Sequence, residues 1–287
     1  MSPFFICFAN FRRWVSVSFI VRVDNYDLDK TLKSGQMFRY KEDESGIFRV
    51  ISRDKICFVK QTETGIVVKT PETKEKVLGP DDVYWRNYFG FGRSYAKLEE
   101  LSRGNAFLEE VIKYNQGLRI LKQDSWECLI SFIISQQKRI PQIQQSIEKL
   151  CAATGKELIG GIFAFPTAEE LLSLSIDRVG LGYRKGYVLG AAYLVREGIL
   201  NLNSITADKV SYKTAMQQLY TVRGVGPKVA NCIALFGLGF MEAFPVDTHI
   251  SKILALPEMT NFNAKAYGDL AGVMQQYLFN YAINHGI

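Results

Sequence analysis

The apolar pattern of the chain changes period once, near Gly117. Before that point, residues 22–115 read as a β-rich domain. The stretch Ile47–Thr70 strings β-branched and aromatic residues in short runs, with turn-like pieces at Glu42–Gly46 and Glu63–Gly65 between them. This predicts an antiparallel meander. From 116 to 287 the apolar residues recur at helical spacing. Asp124 is placed to cap a helix over Trp126–Gln136, and Pro141 sits in the first turn of another. Thr167 to Glu170 form a capping box. Further helices are predicted after Gly182, up to Val222, from Pro227, after Asp247, and as one long element over Ala264–Asn284. Strands followed by helices give an α+β fold, an N-terminal antiparallel sheet and then an all-α domain. No repeat of 30–45 residues indicates a solenoid.

Composition sets outer limits. With 47% of its 287 residues hydrophobic the chain is not disordered. It has no uncharged apolar run long enough to span a membrane, and no membrane association is expected. A net charge of +6 permits an anionic partner without requiring one. The five cysteines are widely spaced and there are two histidines, so a disulfide framework, a zinc site and an iron–sulfur cluster are not expected. Reduced thiols place the protein in the cytoplasm if it is bacterial and in the nucleus if eukaryotic. Residues 1–21 are set apart as an extension, disordered or the product of a start placed upstream. Arg12 and Arg13 divide its apolar runs, which does not match a signal peptide.

The most informative stretch is Leu219–Ala230, with the pattern L-x-x-V-x-G-V-G-x-K-V-A. Two helices flank a turn at Arg223–Gly226. Gly224 and Gly226 leave backbone amides exposed, and Pro227 suits the first helical turn. Exposed amides at a helix N-terminus hold a phosphate, so this hairpin would grip a nucleic-acid backbone without reading bases. Lys228 then opposes the helix dipole. Two roles fit it: a solvated cation beside a phosphate, or a nucleophile whose neutral amine attacks carbon. Asp247, 19 residues further on, would cap the next helix. It would also return a carboxylate towards Lys228, and amine plus carboxylate is the pair that displaces a base from a sugar.

These residues resemble the helix-hairpin-helix DNA glycosylase superfamily, with Lys228 marking the bifunctional branch. Ser34–Arg39, Phe132–Gln137, Leu181–Arg184 and Gly272–Phe279 resemble, in order, segments of the 8-oxoguanine DNA glycosylase/lyase family. The resemblance spans residues 22 to 284. It implies a monomeric base-excision repair enzyme acting on double-stranded DNA without cofactor or metal. It implies Lys228 as Schiff-base nucleophile and Asp247 as the carboxylate that stabilises the transition state. Gly35 would offer its carbonyl to the N7 hydrogen of the oxidised base, and Gln275 would bond the Watson–Crick edge. Phe279 and Cys232 would sandwich the ring, although both types are commonly plain core residues. Tyr183 would wedge into the stack, Arg184 would face the orphaned cytosine, and His249 would touch a phosphate or serve structure. The chain departs from the animal pattern at Gln136–Arg139. Gln137 stands where an Asn meets the cytosine, and Gln142 where an Arg reads it, so discrimination of the opposite base is expected to be loose. An alkylated-base glycosylase and a non-catalytic DNA clamp are the competing assignments. Lys228 speaks against the first, and Lys228 together with Asp247 against the second.

Overall fold

The computed structural model of the protein describes residues 15–71 and 82–287. Five strands form an antiparallel sheet in the order β1-β5-β4-β3-β2. They are β1 (Val15–Val21), β2 (Tyr40–Glu42), β3 (Phe48–Ser52), β4 (Lys55–Thr62) and β5 (Gly65–Pro71). Strand alternation puts Phe48 and Val50, Cys57 and Val59, Ile66 and Val68 on one buried face. In register, Phe48 opposes Val59 and Val50 opposes Cys57, so that face is continuous across strands. Helices α1 (Leu28–Lys33) and α2 (Asp82–Phe89) cover it with Leu28, Leu32, Trp85, Tyr88 and Phe89.

One expectation needs correction. Val15–Val21 is no detached extension but the edge strand pairing with β5, with Val21 opposite Ile66. The alternation that buries Val21 and exposes Ile20 was present in the sequence and outweighs the paired arginines before it. Residues 1–14 of the expected extension lie outside the described residues.

The remaining helices are α3 (Lys97–Ser102), α4 (Ala106–Tyr114), α5 (Ser125–Ser135), α6 (Ile140–Thr154), α7 (Ala168–Ser173), α8 (Arg184–Arg196), α9 (Tyr212–Leu219), α10 (Pro227–Ile233), α11 (Thr248–Leu254) and α12 (Ala271–His285). A short hairpin, β6 (Glu157–Ile159) and β7 (Ile162–Phe163), separates α6 from α7. Every residue of α5 is buried, so the other helices pack around it. Asp124 and Thr167 cap α5 and α7 as their sequences indicate. The long helix expected over Ala264–Asn284 is broken: a 3₁₀ stretch, Ala264–Leu270, kinks at Gly268 (φ +50°) before α12 begins. Packing also crosses position 115. Leu98, Leu108, Val111 and Ile112 join the helical core, whereas Leu121 joins the sheet core.

The two cores meet where the β3–β4 turn docks on α5. The Arg53 amide donates to Glu127 Oε2 at 2.7 Å, and the Phe165 amide donates to the Arg53 carbonyl at 2.8 Å. Glu127 is 7% exposed. Burial pushes its carboxyl up to about 7, against the opposing pull of Arg39 and the Arg53 amide. A folded pKa above the unfolded one means this protonation stabilises the fold fully below about 4.5. That contribution drains away as pH rises and is gone above about 7, a swing on the order of 3 kcal/mol. Glu127→Gln keeps the acceptor for Arg53 and cannot ionise. Its stability relative to wild type is therefore expected to rise between pH 5 and pH 8 in denaturant melts. Parallel curves would refute the buried, protonated carboxyl.

Candidate active site

One small cavity collects residues from five separate parts of the chain, and its walls start with Gly35. Ser34 closes α1 and Gly35 follows at φ +78°, a conformation that suits glycine. A Cβ on Gly35 would come to 3.0 Å from Phe279 Cε1, so the ring lies directly against this backbone. Gln36 anchors the turn: its Nε2 donates to the carbonyls of Thr31 (3.0 Å) and Arg119 (2.8 Å), and its Oε1 accepts from the Leu121 amide at 2.8 Å.

Opposite lies the hairpin. Gly224 adopts φ +87°, and Gly226 leads into α10 with Pro227 in its first turn. One turn apart on α10, Lys228 and Cys232 face the same cavity. Lys228 is half-buried, its Nζ lies 5.5 Å from the centre of the Phe132 ring, and it has no ion pair among the described residues. Burial pushes the Cys232 thiol up, opposed by the neighbouring Lys228. After Ile233 the helix widens into a π turn, Ala234–Leu238, which brings Phe236 to the cavity, stacked on Phe132 at 5.6 Å. Such turns recur at functional sites.

Asp247 caps α11 through Oδ1, which accepts from the Ile250 amide at 2.9 Å. The structural role expected of it is therefore real, and its carboxylate still lines the cavity with Lys228. From α12 come Gln275 and Phe279, four residues apart and on one face. Gln275 is 4% exposed, and its Oε1 has no hydrogen-bond partner among the described residues. A buried amide oxygen left unpaired costs about 1–3 kcal/mol. The cavity measures about 40 Å³, room for a few waters and too little for a purine. The Phe279 ring, against Gly35, bounds that side of the cavity.

The structure thus brings together Lys228, Asp247, Gly35, Gln275, Phe279 and Cys232. The residues expected to touch DNA lie around them. His249 packs edge-on against Phe279 at 5.9 Å, and its Nδ1 is 2.9 Å from the Ile287 carbonyl. Tyr183 is 50% exposed and packs on Tyr187 at 5.8 Å. A side chain on Gly224 would run into that Tyr187 ring, which couples the Tyr183 loop to the hairpin. Gln137 is exposed with φ +53°, a non-glycine strain of about 1–3 kcal/mol. Arg184 is placed differently from expectation. It is buried, and its Nε donates to the Gln136 carbonyl at 2.8 Å, while Gln136 Nε2 donates to the Gly224 carbonyl at 3.1 Å. It braces the loops, and no free guanidinium is held out towards a base. Lys185 likewise pairs with Asp177.

Phe132, Phe236, Pro245 and Gln276 also line the cavity, and sequence reasoning gave none of them a role. Three are apolar and indistinguishable from core residues by type. Gln276 adjoins Gln275, and neighbours on a helix point about a quarter-turn apart, so spacing did not suggest a shared site. Among the described residues, no cluster of His, Cys, Asp or Glu could hold a metal ion, and no helix is long and apolar enough to cross a membrane.

A helix-hairpin-helix that presents a lysine and a capping aspartate to one cavity is the arrangement expected of the bifunctional branch of the helix-hairpin-helix DNA glycosylases. Residues 18–129 match the family described as 8-oxoguanine DNA glycosylase, N-terminal domain. An N-glycosylase/DNA lyase of Saccharomyces cerevisiae is 37% identical over 155 residues, 48% of this chain and 41% of that protein. The N-glycosylase/DNA lyase OGG1 of Arabidopsis thaliana is 32% identical over 205 residues, 63% of this chain and 56% of that protein. The chain thus spans about half the length of these two relatives. The solved structure of the 8-oxoguanine glycosylase/lyase of Clostridium acetobutylicum, in complex with double-stranded DNA containing cytosine opposite 8-oxoguanine, superposes with a TM-score of 0.82. It is 30% identical and covers 95% of this chain and 99% of that one. The chain belongs to the 8-oxoguanine DNA glycosylase family.

Proposed function

We propose that the protein excises 8-oxoguanine from double-stranded DNA and then nicks the strand through a lysine imine. The observation that carries this is one cavity lined by an amine, a carboxylate and two residues with idle acceptors. Gln275 Oε1 is buried without a donor, and the Gly35 carbonyl accepts no hydrogen bond among the described residues. Oxidised guanine has a hydrogen on N7 that guanine lacks, and Gly35 supplies an acceptor for it. Gln275 supplies the amide for the Watson–Crick edge. The flipped base would lie between Phe279 and Cys232, with Tyr183 filling the gap in the stack.

The chemistry follows from the walls. As the C1′–N9 bond breaks, its electron pair leaves with the base, which takes up a proton. Positive charge grows on the sugar, and the Asp247 carboxylate stabilises it. The neutral amine of Lys228 forms a bond to C1′, loses a proton, and the ring opens to an imine. Loss of a C2′ proton then expels the 3′ phosphate with its bonding electrons. The Phe132 ring, its centre 5.5 Å from Nζ, gives the amine an aromatic wall.

The substrate assignment is tested by single-turnover base release from matched duplexes. Release of 8-oxoguanine without release of 7-methylguanine is expected, because a methyl on N7 replaces the hydrogen that Gly35 accepts. The reverse order would assign the cavity to alkylated bases instead.

Opposite the lesion the selectivity is expected to be loose. Gln142 Oε1 accepts from the Arg139 amide at 3.1 Å and so serves the cap of α6, and Arg184 is committed to Gln136. That leaves Gln137, whose amide both donates and accepts and so fits more than one base. Excision opposite A should proceed at a rate comparable to excision opposite C. A preference for C of about a hundredfold, the size that specific side-chain pairs confer, would rule this out.

A further inference from the structure

We propose that Gln276 is a positioning residue for lesion recognition, fixing the turn whose Gly35 carbonyl meets the N7 hydrogen. The proposal rests on the 8-oxoguanine assignment above. Gln276 is 2% exposed, and its Nε2 donates to the Ser34 carbonyl at 2.6 Å. On the other side of Gly35, Gln123 Nε2 donates to the Gln36 carbonyl, also at 2.6 Å. The carbonyls before and after Gly35 are thus both held by glutamine amides, from α12 and from the segment preceding α5. Gly35's own carbonyl alone is left for a ligand.

The clamp matters because Gly35 is otherwise free to turn. Glycine rotates its peptide planes at little steric cost, and a carbonyl swung away from the cavity offers nothing to N7. Telling 8-oxoguanine from guanine depends on one hydrogen, so the acceptor must be placed to within a fraction of an ångström. Gln276 ties that turn to α12, which also carries Gln275 and Phe279. One helix therefore sets the spacing between the acceptor for N7 and the amide for the opposite edge. The hydrogen bond joins residues 242 positions apart and is buried, so removing the donor takes this partner from a buried carbonyl.

Gln276→Met fills the same volume without donating, and Gln276→Leu provides a second apolar replacement in case the first packs poorly. Two rates are to be measured for each: single-turnover release of 8-oxoguanine, and nicking of a duplex with a preformed abasic site. Nicking uses Lys228 but has no base to recognise. The expected result is that 8-oxoguanine release falls roughly tenfold to a hundredfold, the loss of one well-placed polar contact. Abasic-site nicking should stay within about twofold of wild type. An equal fall in both rates would show a merely structural role, and no fall in either would show that the turn holds without Gln276. Either overturns the proposal. Wild-type protein that nicks abasic sites but releases no 8-oxoguanine would instead overturn the substrate assignment.

Discussion

Lys228→Gln is expected to fold and to bind an 8-oxoguanine duplex, yet to leave the strand intact. Loss of strand cleavage of at least about 10⁴-fold is the scale on which a covalent nucleophile acts. The position tolerates the change because Lys228 makes no ion pair among the described residues and stands in the first turn of α10, where a cation opposes the helix dipole. Removing the charge should leave stability unchanged or raise it by a few tenths of a kcal/mol. Denaturing gels read the cleavage and thermal melts read the fold. Nicking at a tenth of the wild-type rate or better would move the nucleophile elsewhere.

Asp247→Asn separates the cap from the charge. Asn caps helices about as well as Asp, so the bond to the Ile250 amide and the start of α11 should survive, with stability altered by well under about 1 kcal/mol. The negative charge proposed to face the sugar is lost, and the base-release step should slow by about 10²–10³-fold, the scale of one preorganised electrostatic group. Binding of the lesion duplex should persist, because Asp247 would oppose phosphate rather than attract it. Unchanged single-turnover excision would reduce Asp247 to a helix cap.

The order of the fold, an antiparallel sheet followed by helices, was legible in the sequence, and so were several residues that line the cavity. Lys228, Asp247 and the glycines of the hairpin were legible because a glycine-rich turn, a helix-opening proline and a cation set against the dipole rarely coincide in a purely structural hairpin. Gly35, Gln275, Phe279 and Cys232 came through resemblance, and the structure then brings them to one cavity. What stayed hidden depends on long-range contact. Nothing local shows that Gln276 reaches Ser34, or that Gln36 braces the turn from within. Arg184 was given to the cytosine by resemblance, and its carbonyl partners, Gln136 and Leu181, lie in another segment and in the turn before it. In the fold, β1 was missed because paired arginines obscure its alternation. The helices α1 to α4 were missed because they are short, nine residues at most, and α1 lies between two strands. The break at Gly268 requires a backbone conformation that the helical pattern around it does not reveal.

The lysine imine is the centre of the proposed mechanism, and borohydride reduction during turnover would capture it. With wild-type protein on a duplex carrying 8-oxoguanine opposite C, a covalent protein–DNA adduct is expected. Its proteolytic fragments should place the link at Lys228, and Lys228→Gln should give none. Base release at full rate without an adduct, or an adduct at another residue, would contradict the assignment of Lys228 as the nucleophile.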